Sequence, residues 1–265
     1  MHRFATVKGM EISILQWNIW YKEDIRNIAE FLQTHKADII CLQELTINSK
    51  DQIIKNTPSF IAEQLGYNFY HKEIPIESTE GKPLMLANGI FSHFPVLDKK
   101  FVWTNEPKSS GGYDDEYRAY VEATLNIGGT EFSIGTTHMS YTHRFENTLN
   151  ENREASLLMK QLEAHTKTFA FTGDLNALPC SHTISLVEGI LKNAGPDYDK
   201  KSWATKPFSY NGFKESELNW RLDYVFTTAD LDVISSEILN TKYSDHLPIF
   251  TKVKLPQNNS NLNGV

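Results

Sequence analysis

The sequence predicts an α/β protein whose functional groups gather at one rim of its sheets, and two observations carry that prediction. The first is an opening β-α-β unit. Ile12 and Ile14 alternate with polar neighbours from Glu11 to Trp17, residues 23–35 place Ile25, Ile28, Ala29 and Leu32 on one helical face, and Asp38 to Gln43 is nearly all apolar. The second is a habit repeated along the chain. Asn18, Glu44, His138, Asp174 and the Asp245-His246 pair each lie at the edge of an apolar run, and Asp223 lies within another. One polar strand ending is a turn, but five converging on one rim make a site.

The remaining elements follow in order. Thr57-Pro58 caps a helix with Ile61 and Leu65 on its face, and Gly66 ends it. Tyr67 to His71 reads as a short strand, Leu84 to Phe94 as strand around a glycine, and Val96 to Trp103 as another. Tyr117 to Asn126 and Thr130 to Thr137 form a hairpin across Gly128-Gly129. Phe145 to about Ala164 is helical, with Leu149, Leu157 and Leu158 on the apolar side. Arg153, four residues from both Leu149 and Leu157, is then either a stem packed with its head in water or a partner for an inward polar site. Phe169 and Phe171 belong to a buried strand that exits at Gly173 into Asp174-Leu-Asn176. Ser181 caps a helix bearing Ile184, Val187, Ile190 and Leu191, terminated by Gly195-Pro196. Residues 200–218 read as irregular, and three strands close the chain over 222–227, 231–238 and 247–253.

At 265 residues with 40% hydrophobic content, the chain can bury one large core, and residues 1–256 read as a single domain followed by a disordered polar tail, 257–265. With a net charge of −7, no basic surface is evident for tight, sequence-independent binding of long nucleic acid, which leaves a nucleic-acid substrate open. Cys41 sits in an apolar run and Cys180 has no second thiol or metal-spaced His around it, so neither a disulfide framework nor a zinc site is expected. The N-terminus has no apolar leader and no stretch is long enough to span a membrane, which gives the expectation of a monomeric, cytoplasmic protein.

Glu44, Asp174, Asp223 and Asp245, with Asn18 and Asn176, make a hard-oxygen set suited to Mg²⁺ or Mn²⁺, accompanied by His138 and His246. Hydrolysis of a phosphate ester asks for that combination. A cation polarises a phosphoryl oxygen, a carboxylate takes a proton from water, and N–H donors hold the charge that builds.

In order and spacing, Gln16-Trp-Asn18, Leu42-Gln-Glu44, Thr137-His138, Gly173-Asp174-Leu-Asn176, Trp220-Arg-Leu-Asp223-Tyr and Ser244-Asp245-His246 resemble the endonuclease/exonuclease/phosphatase (DNase I-like) superfamily over nearly the whole chain. Gly89-Ile-Phe-Ser92-His-Phe-Pro95 resembles a further family strand, with His93 in place of the usual Arg. The resemblance implies a four-layer α/β/β/α sandwich of two mixed sheets with the site at one end. It implies that Glu44, Asp245 and Asn18 hold the metal, that Asp174 activates water positioned by Asn176, and that His246, its tautomer fixed by Asp223, donates to the phosphate. His138 would donate to the phosphate or leaving oxygen.

His138 is similar to the histidine of DNase I, sphingomyelinases and 5′-tyrosyl-DNA phosphodiesterases, whereas abasic-site endonucleases carry Tyr there and an acid where this chain has Trp20. Trp20, Tyr21, Trp103 and Tyr113 are candidates for aromatic walls around a substrate, or packing at loop bases. The resulting expectation is a metal-dependent phosphodiesterase acting on DNA or RNA ends or short strands. Its rivals are a hydrolase of a small phosphoester, such as an inositol phosphate, nucleotide cofactor or lipid head group, and an inactive binding module.

Overall fold

The computed structural model describes residues 9–50, 52–77, 83–107 and 116–256. Tyr113 and the 257–265 tail lie outside these. Two six-stranded mixed sheets stack face to face. The first runs in the order β13-β14-β1-β2-β4-β3, from β1 (Glu11–Asn18), β2 (Ile39–Ile47), β3 (Asn68–Glu77), β4 (Pro83–Ser92), β13 (Asp232–Ile238) and β14 (Ile249–Lys254). The second runs β5-β6-β7-β8-β12-β9, from β5 (Val96–Asn105), β6 (Arg118–Ile127), β7 (Thr130–His138), β8 (Phe169–Asp174), β9 (Lys192–Asn193) and β12 (Asp223–Thr227).

Each sheet has one parallel pair, β1 with β2 and β7 with β8, and antiparallel pairs elsewhere. Both parallel pairs are joined by a helical crossover, α1 (Ile25–His35) in the first and α3 (Leu149–Leu162) in the second, because parallel neighbours cannot be closed by a tight turn. The two halves therefore repeat one wiring plan. Both parallel pairs end at the same rim, where β1 delivers Asn18, β7 delivers His138 and β8 delivers Asp174.

Three apolar interfaces make the four layers. Ile12, Ile14, Cys41, Ile90, Val121 and Phe132 pack between the sheets. α1 and α2 (Thr57–Leu65) cover the first sheet through Ile28, Leu32 and Ile61, and α3 and α4 (His182–Glu188) cover the second through Leu158, Leu162, Ile184 and Val187. Two of the caps expected from sequence are present, but Thr57 is the first residue of α2 and not its cap. The Asn56 side chain accepts from the N–H of Ser59 ahead of Pro58, Gly66 turns out at φ 68°, and Ser181 accepts from Ile184.

Several expectations are corrected. α3 starts at Leu149 and not at Phe145, which belongs to a separate 3-10 turn, His143–Phe145. α4 stops at Glu188, with Gly189 as its cap, and Ile190 is exposed. β3 runs on to Glu77, and the stretch read as irregular holds a hairpin, β10 (Phe208–Tyr210) with β11 (Phe213–Glu215). Arg153 faces outward. The inward face of α3 is Glu151, Glu154, Ala155, Leu158, Met159 and Leu162, and Leu149 is 87% exposed. Two acids turn inward because they have work there. Glu151 accepts from the Thr183 hydroxyl at 2.8 Å and completes a capping box with Thr148, and Glu154 accepts the N–H of Ser140 at 3.2 Å.

Candidate active site

The rim opens into a cavity of about 380 Å³ whose floor holds Asn18, Glu44, His138, Asp174, Asn176, Asp245 and His246. Asn18, His138 and Asp174 end strands and Asn176, Asp245 and His246 stand on loops, but Glu44 lies inside β2. It reaches the pocket because the register with β4 slips between Leu42 and Leu45, and Glu44 takes φ 62° in that bulge. An extra residue in a strand re-aims a side chain in this way.

Asn18 joins the acids. Its Nδ2 is 2.9 Å from Glu44 Oε1 and 2.9 Å from Asp174 Oδ2, while its Oδ1 accepts the N–H of Trp20 at 3.1 Å. The N–H of Tyr21 reaches Glu44 Oε2 at 3.0 Å. Two imidazoles flank Asp174 Oδ2, with His138 Nε2 at 3.4 Å and His246 Nε2 at 3.5 Å. Behind His246, its Nδ1 meets Asp223 Oδ2 at 2.9 Å. Asn176, at φ 45°, gives its backbone N–H to Asp174 Oδ1 and its Nδ2 to the carbonyl of Met139. One amide N–H and the amide oxygen of Asn176 are left for a ligand.

The electrostatics separate the two histidines. Burial, reinforced by the positive charges of Arg118 and His246, holds His138 well below the usual histidine pKa, so it is neutral. Burial also opposes a cation at His246, but Asp223, Asp174 and Asp245 outweigh it and hold its pKa well above the usual value. Burial lifts the Asp174 carboxyl to about 7, Asp223 pushing in the same direction against the pull of His246. Burial and the neighbouring Asp245 raise Glu44 as well. The pocket thus holds more carboxylate than its histidines neutralise, a donor set that fits a hard divalent cation.

Atoms of Asp174, Asp223 and His246 also lie within 4.8 Å of one another, a spacing that can hold a metal ion. Asp223 Oδ2 is already committed to the ring of His246, so Glu44 and Asp245, open to the pocket beside Asn18, are the better placed oxygens.

A buried frame supports these groups. Arg221, 1% exposed, donates from Nε to the carbonyl of Asp223 and through its other nitrogens to the carbonyls of Pro196, Asp197 and Lys200. The Ser244 hydroxyl bonds the carbonyl of Asn18 at 2.7 Å and accepts the N–H of His246. Gln16 and Gln43, neighbours on the first sheet, pair through both amides, and Gln43 donates across to Thr136 and Gln16 to Asp223 of the second sheet.

Of the aromatic candidates, Trp20 lines the cavity with Lys206 Nζ 4.5 Å from its ring centroid. Trp103 does not reach the cavity; it packs on the outer edge of the second sheet between Phe101 and Tyr117. Arg153 is on the solvent side of α3. Sequence reading missed Trp203, whose Nε1 donates to Asp245 at 3.2 Å, and Arg118, a buried cation on the cavity wall. Neither carries a local signal, since an aromatic in an irregular stretch and an arginine opening a strand are common.

Comparison with curated protein sequences gave no match. Among solved structures, the chain is similar to an endonuclease/exonuclease/phosphatase from Beutenbergia cavernae DSM 12333, at 20% identity and TM-score 0.77 over 93% of this chain and 72% of that one. It is also similar to the mannosyl-6-phosphatase Bt3783 of Bacteroides thetaiotaomicron VPI-5482, at 18% identity and TM-score 0.63 over 91% and 99%. The human Nocturnin catalytic domain with bound sulfate anion matches at 18% and TM-score 0.66 over 93% and 96%. These likenesses concern the fold. The sequence model of the Endonuclease/Exonuclease/phosphatase family matches residues 15–246, and the chain belongs to that family of phosphoester hydrolases.

Proposed function

We propose that the protein hydrolyses phosphodiester bonds at the ends of nucleic acids or in short strands, using a divalent cation and a water activated by Asp174. The observation that carries this reading is the placement of the Asp174 carboxylate between a neutral and a cationic imidazole, on the same Asn18 amide as Glu44. Glu44, Asp245 and Asn18 would hold Mg²⁺ or Mn²⁺, which when bound polarises a phosphoryl oxygen and offsets its charge.

The chain's own residues supply the rest. Asp174, ionised when the cation is present, accepts a proton from the attacking water, and Asn176 holds the loop and offers its amide to that water. His246, kept protonated by Asp223, donates Nε2–H to a non-bridging oxygen where charge accumulates. His138, neutral, offers one N–H to the leaving oxygen.

A small phosphoester is the second reading, favoured by the bounded cavity and the net charge of −7. The deciding experiment is hydrolysis with Mg²⁺ and then EDTA across bis-p-nitrophenyl phosphate, a 5′-tyrosyl oligonucleotide, abasic duplex, short RNA, inositol phosphates and a sugar phosphate. EDTA-sensitive cleavage of a nucleic acid, falling steeply with salt, supports the first reading. Turnover confined to the small esters replaces it with the second. No turnover of any substrate brings forward an inactive binding module.

A further inference from the structure

The edge of the sandwich beside the cavity is sealed only in part by aliphatic side chains. β3 and β5 are the outermost strands of their sheets on the same side. Along β3, Tyr70, Lys72, Ile74 and Ile76 alternate toward the gap between the sheets, with Ile74 buried and Ile76 on the cavity wall. Lys99, Phe101 and Trp103 alternate along β5 from the other side.

The two rows interlock through cations on rings. Lys99 Nζ lies 5.6 Å from the Tyr70 centroid, and Lys72 Nζ lies 4.0 Å from that of Phe101 and 4.9 Å from that of Trp103. Phe101 is 39% exposed and Trp103 partly so. Among the described residues, neither Lys72 nor Lys99 has a carboxylate within ion-pair distance, although the chain as a whole is acidic. The seam leads into the site. Trp103 packs on Tyr117 at 5.3 Å, Asn105 holds the carbonyl of Glu116, and Glu116 and Arg118 line the cavity.

We infer that this seam is a binding track for single-stranded nucleic acid, in which bases stack on Phe101 and Trp103 while Lys72 and Lys99 meet the phosphates of a strand whose end lies in the cavity. Partly exposed rings interleaved with ammonium groups that have no carboxylate partner among the described residues match the two repeating features of a single strand, its bases and its charges, which a folded acidic protein or a peptide does not repeat in that form. From Lys99 to Trp103 the strand rises ~13 Å, a few nucleotides of backbone. Trp20 and Lys206, whose Nζ also meets Glu23 Oε2 at 3.2 Å, add a ring and a cation to the cavity lining itself. The inference rests on the phosphodiesterase reading for its orientation, but not for its binding.

The test is fluorescence anisotropy of a short fluorescein-labelled oligothymidylate, titrated in EDTA at several salt concentrations against the wild-type protein, Lys72→Met and Phe101→Ala. Melting curves confirm that each variant is folded. The wild type is expected to bind with an affinity that falls with salt. Lys72→Met should flatten the logarithmic salt slope by about 0.7, the share of one phosphate contact on a single strand. Phe101→Ala should weaken binding about tenfold with the slope unchanged. Both variants should hydrolyse bis-p-nitrophenyl phosphate as the wild type does.

Absence of wild-type binding, wild-type affinity and slope in both variants, or equal displacement by polyglutamate would each overturn the inference. Seam-dependent binding without hydrolysis of any ester would leave the track standing and remove the catalytic reading.

Discussion

His246 Nδ1 lies 2.9 Å from Asp223 Oδ2, which leaves Nε2 as the only ring nitrogen able to address the pocket. Asp223→Asn keeps the shape of this contact and removes its charge. It should lower kcat about 10- to 100-fold with a smaller effect on KM. It should also move the alkaline limb of the pH–rate profile to lower pH, because His246 then loses its proton earlier. An unchanged limb would mean that the His246 cation is not used in the reaction.

The same pair links stability to pH. His246 has a raised pKa in the folded state, so its stabilising effect is complete below its unfolded value near 6.5 and is lost as pH rises through the folded value. In EDTA, the melting-temperature advantage of the wild type over His246→Gln should therefore shrink on going to alkaline pH. An advantage that grows instead would reverse the assignment of charge.

Asp174 has the opposite character, a buried carboxyl whose ionisation costs the fold stability. Its folded pKa of about 7 stands above the ordinary 3.8, so between these values the native state keeps a proton that the unfolded chain has released. Stability is lost as pH rises across that window. Asp174→Asn should match the wild-type melting temperature in acid and exceed it by several degrees at about pH 8 in EDTA, while turnover drops about 10²- to 10⁴-fold. Added Mg²⁺ should narrow the alkaline gap. Equal melting at both pH values would argue that the buried carboxylate is not under strain.

Glu44→Gln keeps the shape but deletes the charge and one of the two acceptor oxygens, so only one of the bonds from Asn18 and Tyr21 survives. The Mg²⁺ concentration for half-maximal activity should rise by more than the ~10–100-fold that loss of an outer partner costs. Isothermal titration with Mn²⁺ gives the same comparison without turnover. A metal titration identical to wild type would move the cation away from Glu44.

Arg221 supports the site without touching the cavity. Its fork serves four carbonyl oxygens, a task that the single ammonium of lysine cannot fill. Arg221→Lys should cost about 3 kcal/mol, seen as a lower midpoint in urea denaturation. A loss under about 0.5 kcal/mol would show that the loop over 196–200 holds itself in place.

The sequence made the rim legible because strand ends carry two signals at once, an apolar run and an abrupt polar residue. Asn18, His138 and Asp174 stand at strand ends, and the structure gathers them. Glu44 reads from sequence as another strand ending, whereas it lies inside β2 and its aim depends on a bulge against β4, a strand far along the chain. Arg153 was misplaced because helical periodicity was counted on leucines, while the inward face carries Glu151 and Glu154, acids drawn in by hydrogen bonds to distant residues. Trp103 was legible as an aromatic but not as an edge residue, because strand order is a property of the whole sheet. The hairpin at Phe208 to Glu215 is short and half-exposed, too brief for alternation to register.

The paired glutamines between the sheets bear on accuracy more than on strength. Two greasy surfaces tolerate sliding, since methyl groups meet methyl groups in many alignments. Gln16 and Gln43 tolerate very little, because Gln43 donates across to Thr136 at 2.9 Å and Gln16 to Asp223 at 3.4 Å on the second sheet, and any slip strands buried groups at about 1–3 kcal/mol each. They act as a dowel between two boards, fixing the alignment at the depth where one half of the molecule brings Asn18 and Glu44 and the other brings His138 and Asp174. Neither half owns a working centre, so the tolerance of the chemistry is set by a joint that lies beneath it.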